Sequence, residues 1–194
     1  DATGNAQNNV LRGNAAKNVL TGGAGDDTYY VGTGIYSYDV GADDTVVENI
    51  NEGIDTVYSM GSYTLEANVE NLVLSSGNGV RNDLANVITG SSDNNVLSGG
   101  AGNDTLDAGS GDDVLDGGVG NDTLTGGTGN DVYVVDGSSD VVIETGYDSK
   151  DVVQASVTYS LANLSAVENL TLAGLANISG TGNSSSNVMV GNAG

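Results

Sequence analysis

The chain has 194 residues, with 26 Asp and Glu against four Lys and Arg, a net charge of −22, and no Cys, His, Pro, Trp or Phe. That balance excludes nucleic-acid binding by phosphate neutralisation and disfavours anionic membranes, so the natural counter-ion is a cation. Without His or Cys there is no histidine metal-hydrolase cluster, no thiol nucleophile and no imidazole base for the serines, and no apolar run reaches transmembrane length. The core must be built from Leu, Val, Ile and Tyr; so thin a core needs a staple, and without cysteine the staple is a metal ion.

The chain reads in nines from near its start. Gly4 to Arg12, Gly13 to Thr21 and Gly22 to Tyr30 are three nonapeptides in one phase, with Asn9, Asn18 and Asp27 at the sixth position and Leu11, Leu20 and Tyr29 at the eighth. Asn keeps the turn and offers a neutral oxygen but no charge, so the first two are expected to hold no ion or a weak one. Gly22 to Tyr30 is a full match, and Gly23, Gly25 and Asp27 are candidate ligands. From Val31 the motif dissolves into what reads as an insertion over 31–38. Asp43 and Asp44 before Thr45-Val-Val-Glu48, and Asp55 before Thr56-Val57, restore an acid ahead of apolar residues. Ser62 to Leu65 and Asn71 to Leu74 alternate as strands do. Apolar residues at 38, 47, 57, 65 and 74 keep steps of eight to ten, which predicts a solenoid continuing without glycine turns; a separate small β insertion is the alternative. Nonapeptides of the Asn type return at Arg81 to Thr89 and Gly90 to Ser98, with Asn86 and Asn95 at the sixth position.

The next four nonapeptides organise the chain. They begin at Gly99, Ala108, Gly117 and Gly126, with Gly at positions 2 and 4, Asp104, Asp113, Asp122 and Asp131 at position 6, and Leu106, Leu115, Leu124 and Tyr133 at position 8. Glycines at 1, 2 and 4 permit positive φ and a tight curl that turns carbonyl oxygens toward one point. The sixth-position Asp adds a carboxylate there. Carbonyls and carboxylates are hard oxygen donors, which favour Ca²⁺ over zinc or copper. Positions 7 to 9 predict a very short strand with residue 8 inward and 7 and 9 outward. Two turns and two strands close an eighteen-residue coil, so Asp104 stacks on Asp122 and Asp113 on Asp131. Carboxylates about 5 Å apart repel by roughly 1 kcal/mol in water and by several times more in a drier setting. A cation turns that repulsion into coordination, coupling folding to metal binding.

These residues resemble the RTX (repeats-in-toxin, haemolysin-type) family of secreted bacterial proteins, whose nonapeptide belongs to calcium-binding parallel β-helices. The resemblance implies an all-β fold, a right-handed parallel β-roll (β-solenoid), with several Ca²⁺ ions held between loops eighteen residues apart. The earlier loop supplies the carbonyls of positions 2 and 4 and its Asp; the later loop supplies the carbonyls of positions 1 and 3 and its Asp. One ion would then use Gly100, Gly102, Asp104, Gly117, Val119 and Asp122, and a second Gly109, Gly111, Asp113, Gly126, Thr128 and Asp131. Gly99, Ala101, Ala108 and Ser110, at first and third positions of the leading loops, complete the candidate set.

Past Tyr133 the phase continues to Asp140, which with Gly137 is a candidate to close a further site on Gly118, Gly120 and Asp122. The long unit then repeats: Asp140 to Glu144 matches Asp44 to Glu48, Asp151 to Val153 matches Asp55 to Val57, Thr158 to Leu161 matches Ser62 to Leu65, Val167 to Leu172 matches Val69 to Leu74, and Gly182 to Val190 matches Arg81 to Thr89. One elongated array over 1–194 is expected, regular at 4–30 and 81–143 and less regular at 31–80 and 144–181. It reads as a fragment of a longer array.

The functional expectation is a non-catalytic calcium-binding module. By its resemblance it leaves the cell unfolded through a one-step (type I) exporter, folds outside on Ca²⁺, and serves a larger extracellular or cell-surface protein as spacer or folding nucleus. Affinity on the order of 10⁻⁴–10⁻³ M suits that setting. The alternative is a carbohydrate-, ice- or self-binding module of an adhesin or surface layer, for which outward Thr105, Thr123 and Thr125 or the nine tyrosines would form the face; Thr also suits a solvent-facing strand, and Tyr29 and Tyr133 fall at inward positions. The expected partners are calcium ions and, under the alternative, surface polysaccharide or a second copy, with no nucleic acid and no membrane insertion.

Overall fold

The computed structural model describes residues 1–32, 44–146 and 150–194, and it is a parallel β-solenoid. Every strand pairing is parallel. One eight-stranded sheet runs from Val10–Arg12 through Thr28–Val31, Thr56–Ser59, Asn71–Leu74, Val87–Thr89, Thr105–Ser110 and Thr123–Thr128 to Val141–Ile143. The other runs from Tyr63–Thr64 through Gly79–Val80, Val96–Ala101, Val114–Val119, Val132–Val135, Val152–Ala155 and Asn169–Leu172 to Val188–Val190. A three-stranded sheet (Ala2–Thr3, Val19–Thr21, Thr45–Val47) and a two-stranded one (Tyr159–Ser160, Gly180–Thr181) complete the set. No helix occurs among the described residues.

Successive strands of the regular block enter opposite sheets, so each coil is two strands and two turns. The register then steps by eighteen: Ile88 faces Leu106, Leu106 faces Leu124 and Leu124 faces Val142, while Leu97 faces Leu115 and Leu115 faces Tyr133. The eighth-position residues therefore stack on themselves and form the core. Leu97, Leu106, Leu115, Leu124 and Tyr133 are fully buried, each contributing about 1.5–3 kcal/mol of burial. The strands of the block are longer than the three residues expected: four of them, such as Val96–Ala101, have six residues. Pairing continues through the next glycine pair, with Gly100 opposite Gly118 and Ala101 opposite Val119.

The irregular segments stay in the same sheets with coils of other lengths. Tyr29 faces Val57, Val57 faces Leu72 and Leu72 faces Ile88, spans of 28, 15 and 16 residues. In the second copy Tyr133, Val153, Leu170 and Met189 face in turn across 20, 17 and 19 residues. The inward residue of Thr45–Val47 is Val46 and not the expected Val47, because Asp44 takes the sixth-position role by accepting from the Asn18 N–H and so puts Val46 at the eighth; Val46 is buried and Val47 is 39% exposed. Of the expected 31–38 insertion, only Val31 and Gly32 fall within the described residues, and Tyr38 and Asp43 lie outside them. On the outer face, the Tyr30 and Tyr58 rings stack at 5.0 Å, with the Arg12 guanidinium 3.7 Å over Tyr30.

Candidate metal centre

The turns follow from glycine placement, in a form more specific than the sequence suggested. Positive φ falls at positions 2 and 4, as at Gly100 (93°) and Gly102 (122°), except at Gly120, and not at position 1. At Gly99 the first-position glycine is required by space, since a Cβ would stand 2.7 Å from Asp104 Oδ2 and 2.8 Å from the Gly117 carbonyl oxygen, whereas the next loop carries a buried Ala108 there. The curl turns carbonyls between loops. Those of Gly100 and Gly102 face Gly118 and Gly120; those of Gly109 and Gly111 face Gly127 and Gly129; that of Gly117 faces back to Gly99. Third-position carbonyls are also shared, since Val119 accepts from Gly102 N–H at 3.1 Å and Thr128 from Gly111 N–H at 2.8 Å. The loops expected to pair across eighteen residues are therefore brought together carbonyl against loop.

The sixth-position carboxylates are not simply stacked. Each divides its two oxygens. Oδ1 of Asp27, Asp104, Asp113, Asp122 and Asp131 accepts the backbone N–H of the sixth residue one coil earlier, from Asn9, Asn86, Asn95, Asp104 and Asp113, at 2.6–2.8 Å. This offsets part of the expected repulsion. Oδ2 of the same five aspartates is buried with no hydrogen-bond partner. A buried anionic oxygen without a partner is costly, and it points to an ion. Burial raises all five pKa values against the lowering effect of the N–H bonds, that of Asp104 to about 6 and that of Asp131 to about 7. No lysine or arginine pairs with them; the only salt bridge among the described residues joins Arg81 and Asp83.

Asn at the sixth position solves the same problem within the chain at Asn9, Asn18 and Asn95, while Asn86 Oδ1 stays buried without a partner. Asn9, Asn18 and Asn95 Oδ1 accept the N–H of the second residue of their own loop, from Asn5, Asn14 and Ser91. The Asn95 amide also donates to the Gly77 carbonyl at 2.6 Å, and the Asn86 amide to Val69 and Glu70. An amide thus supplies donors to carbonyls of the preceding coil, which an aspartate cannot do. Asp140 is a third case: Oδ1 accepts from Asp122 N–H at 3.3 Å and Oδ2 from Gly137 N–H at 2.9 Å, so this turn closes on itself.

Two further ladders were not anticipated from the sequence. Fifth-position side chains run the other way along the loops: Asn8 accepts from Asp26 N–H, Asn94 from Asp112, Asn103 from Asn121 and Asp112 from Asn130. The signal was present in the recurrence of Asn or Asp at these positions. Glu70 and Glu168 continue the sixth-position ladder across the irregular coils, accepting from Asp55 and Asp151 N–H. Their shared Val-Glu-Asn-Leu setting is the trace they leave in the sequence.

A parallel β-roll whose loops offer only carbonyl and carboxylate oxygens is a calcium-binding solenoid. The family model of the RTX calcium-binding nonapeptide repeat (4 copies) matches residues 3–36, 82–115 and 108–142. The chain belongs to the RTX calcium-binding repeat proteins, and its several repeats bind several Ca²⁺ ions. Among curated proteins none matches the chain.

Proposed function

We propose that the chain is a structural module that folds on binding Ca²⁺ after secretion, and that it serves a larger extracellular bacterial protein as spacer or folding nucleus. The observation that carries this is the set of five buried, unpartnered Oδ2 atoms in a chain of net charge −22. The calcium-free coil must bury anions without partners, whereas the calcium-bound coil does not. Such a difference supports a fold stabilised by the metal. Export through a narrow channel requires an unfolded chain, and extracellular calcium then supplies the folding free energy; RTX repeats occur in secreted bacterial proteins, which favours this setting.

In this reading Asp104 and Asp122 hold one ion with the carbonyls of Gly100, Gly102, Gly117 and Val119. Asp113 and Asp131 hold a second with those of Gly109, Gly111, Gly126 and Thr128. The carbonyls of Gly100, Gly102, Gly109, Gly111 and Gly117, turned between loops, support these sets. Gly23, Gly25 and Asp27 form the corresponding half-site near the start of the chain, and the array acts as one elongated body. The experiment is refolding from denaturant in calcium-free buffer followed by calcium addition, read by hydrodynamic radius. Compaction on addition of Ca²⁺ at 10⁻⁴–10⁻³ M, on the order of extracellular affinities, is the expected result. A chain already compact before calcium would overturn folding after secretion.

A further inference from the structure

Where each run of glycine loops ends, the last loop has no glycine loop above it. Gly22 to Asp27 is followed by the 28-residue coil, and Gly126 to Asp131 by the 20-residue coil. At both places the structure assembles three carboxylates instead. Asp27, Glu48 and Asp55 each bring an oxygen within 4.8 Å of the others, and so do Asp131, Glu144 and Asp151. Asp55 and Asp151 continue the sixth-position ladder, accepting from Asp27 and Asp131 N–H at 2.7 and 2.8 Å. Glu48 and Glu144 arrive from the irregular segment and occupy the side where a nonapeptide would present carbonyls.

We propose that these two clusters are cation sites of a second kind, built from three carboxylate side chains, which cap the rows of loop-held ions and take Ca²⁺. The proposal deepens the calcium-module reading and rests on it. Independent support comes from burial: Asp27 Oδ2 and Glu48 Oε2 have no hydrogen-bond partner in residues only 1% and 7% exposed, and Asp131 Oδ2 has none in a residue 0% exposed. These oxygens are aimed into the clusters. A Cβ on Gly22 would overlap Asp27 Oδ2 and the Tyr29 hydroxyl together, and one on Gly126 would overlap Asp131 Oδ2 and the Tyr133 hydroxyl. Two oxygens on one Ca²⁺ stand at most about 4.6–5.2 Å apart, twice the usual ligand distance, and the clusters fall within that reach.

The tyrosines mark the sites in the sequence. The eighth position is Tyr only at Tyr29 and Tyr133, in the two nonapeptides that precede an irregular segment, and is aliphatic in the others. Their hydroxyls donate to Glu48 and Glu144 respectively. Tyr29 holds Glu48 by one oxygen and leaves Oε2 without a partner, whereas the second oxygen of Glu144 accepts from the Gly146 N–H at 2.6 Å and would be shared with the ion. That the same trio recurs in both copies of the long unit argues against chance crowding of acids.

The test is calcium stoichiometry of the full chain at saturation, by isothermal titration calorimetry, in wild type, Glu48→Gln, Glu144→Gln and the double variant. Each single variant is expected to bind one ion fewer and the double variant two fewer, with the β signal in circular dichroism retained. A double variant that binds as many ions as wild type overturns the proposal. A second measurement guards against misfolded variants. The chain has no Trp, so tyrosine alone sensitises bound Tb³⁺, and Tyr29→Phe/Tyr133→Phe is expected to lose most of that emission with the β signal retained. Undiminished emission overturns the assignment. A wild type that binds no calcium would instead overturn the calcium-module reading itself.

Discussion

At the scale of single residues, the fold depends on how each buried carboxylate is discharged. Asp113 gives one oxygen to the Asn95 N–H and leaves the other buried without a partner. Asp113→Asn preserves the first contact and removes the charge, so β structure should still form but the calcium midpoint should rise about tenfold, or ~1.4 kcal/mol, as read by circular dichroism titration. An unchanged midpoint would place Asp113 outside the ion sites. Protons are the competing way to discharge these groups. Burial first, then neighbouring Asp55 and Asp27, push Glu48 up to about 8 from an ordinary 4.5; burial pushes Asp131 to about 7, and Asp55 and Asp104 to about 6, from 3.8. A raised folded-state pKa means the calcium-free fold takes up protons. Its stability is fully present below about pH 4 and is lost as pH rises through about 6 to 8. Metal-free protein should therefore gain β signal as pH falls from 8 to 5, on the order of the span between those pKa values, while the calcium midpoint at fixed ion concentration worsens. A calcium-free chain most structured at high pH would contradict the burial account.

At the scale of the element, the nonapeptide is both a turn and a rung of core. Leu115 is fully buried between Leu97 and Tyr133. Leu115→Ala should cost about 2–5 kcal/mol and raise the calcium concentration needed to fold, measured by the same titration. The first position separates space from backbone freedom. Ala108 already carries a buried methyl there, so Ala108→Gly should cost only about 0.5–1 kcal/mol. Gly126→Ala drives a methyl into both Asp131 Oδ2 and the Tyr133 hydroxyl and should cost about 1–3 kcal/mol in calcium-saturated thermal melts. Equal melting temperatures for the two variants would refute the spatial reading. Legibility followed period. Residues 97, 106, 115, 124 and 133 were readable as core because a strict nine leaves no choice of face. Val46 was not, because steps counted between apolar residues lead to Val47, whereas the inward side is fixed two residues after the sixth-position Asp44. Glu70 and Glu168 escaped for a related reason: they reach the ladder through a longer side chain from positions that have no glycine loop. The split role of each Asp was hidden as well, since spacing shows that carboxylates meet but not which oxygen meets an N–H.

At the scale of the whole molecule, a net charge of −22 is distributed over coils held together by parallel ladders and the stacked apolar residues of the two sheets. Self-repulsion of that size favours the extended chain until cations are bound, and the buried oxygens without partners lie along the loop rows where those cations would sit. The molecule thus responds to the composition of its surroundings more than to its own apolar content. The most direct measurement is far-ultraviolet circular dichroism of the full chain against added Ca²⁺, from chelator to about 10 mM, an upper limit set by weak extracellular sites, with Mg²⁺ in parallel. A cooperative rise of β signal with Ca²⁺ and none with Mg²⁺ is the predicted result. A chain with full β signal in chelator would contradict the account, because the amide-stapled coils and irregular segments would then carry the fold without the metal.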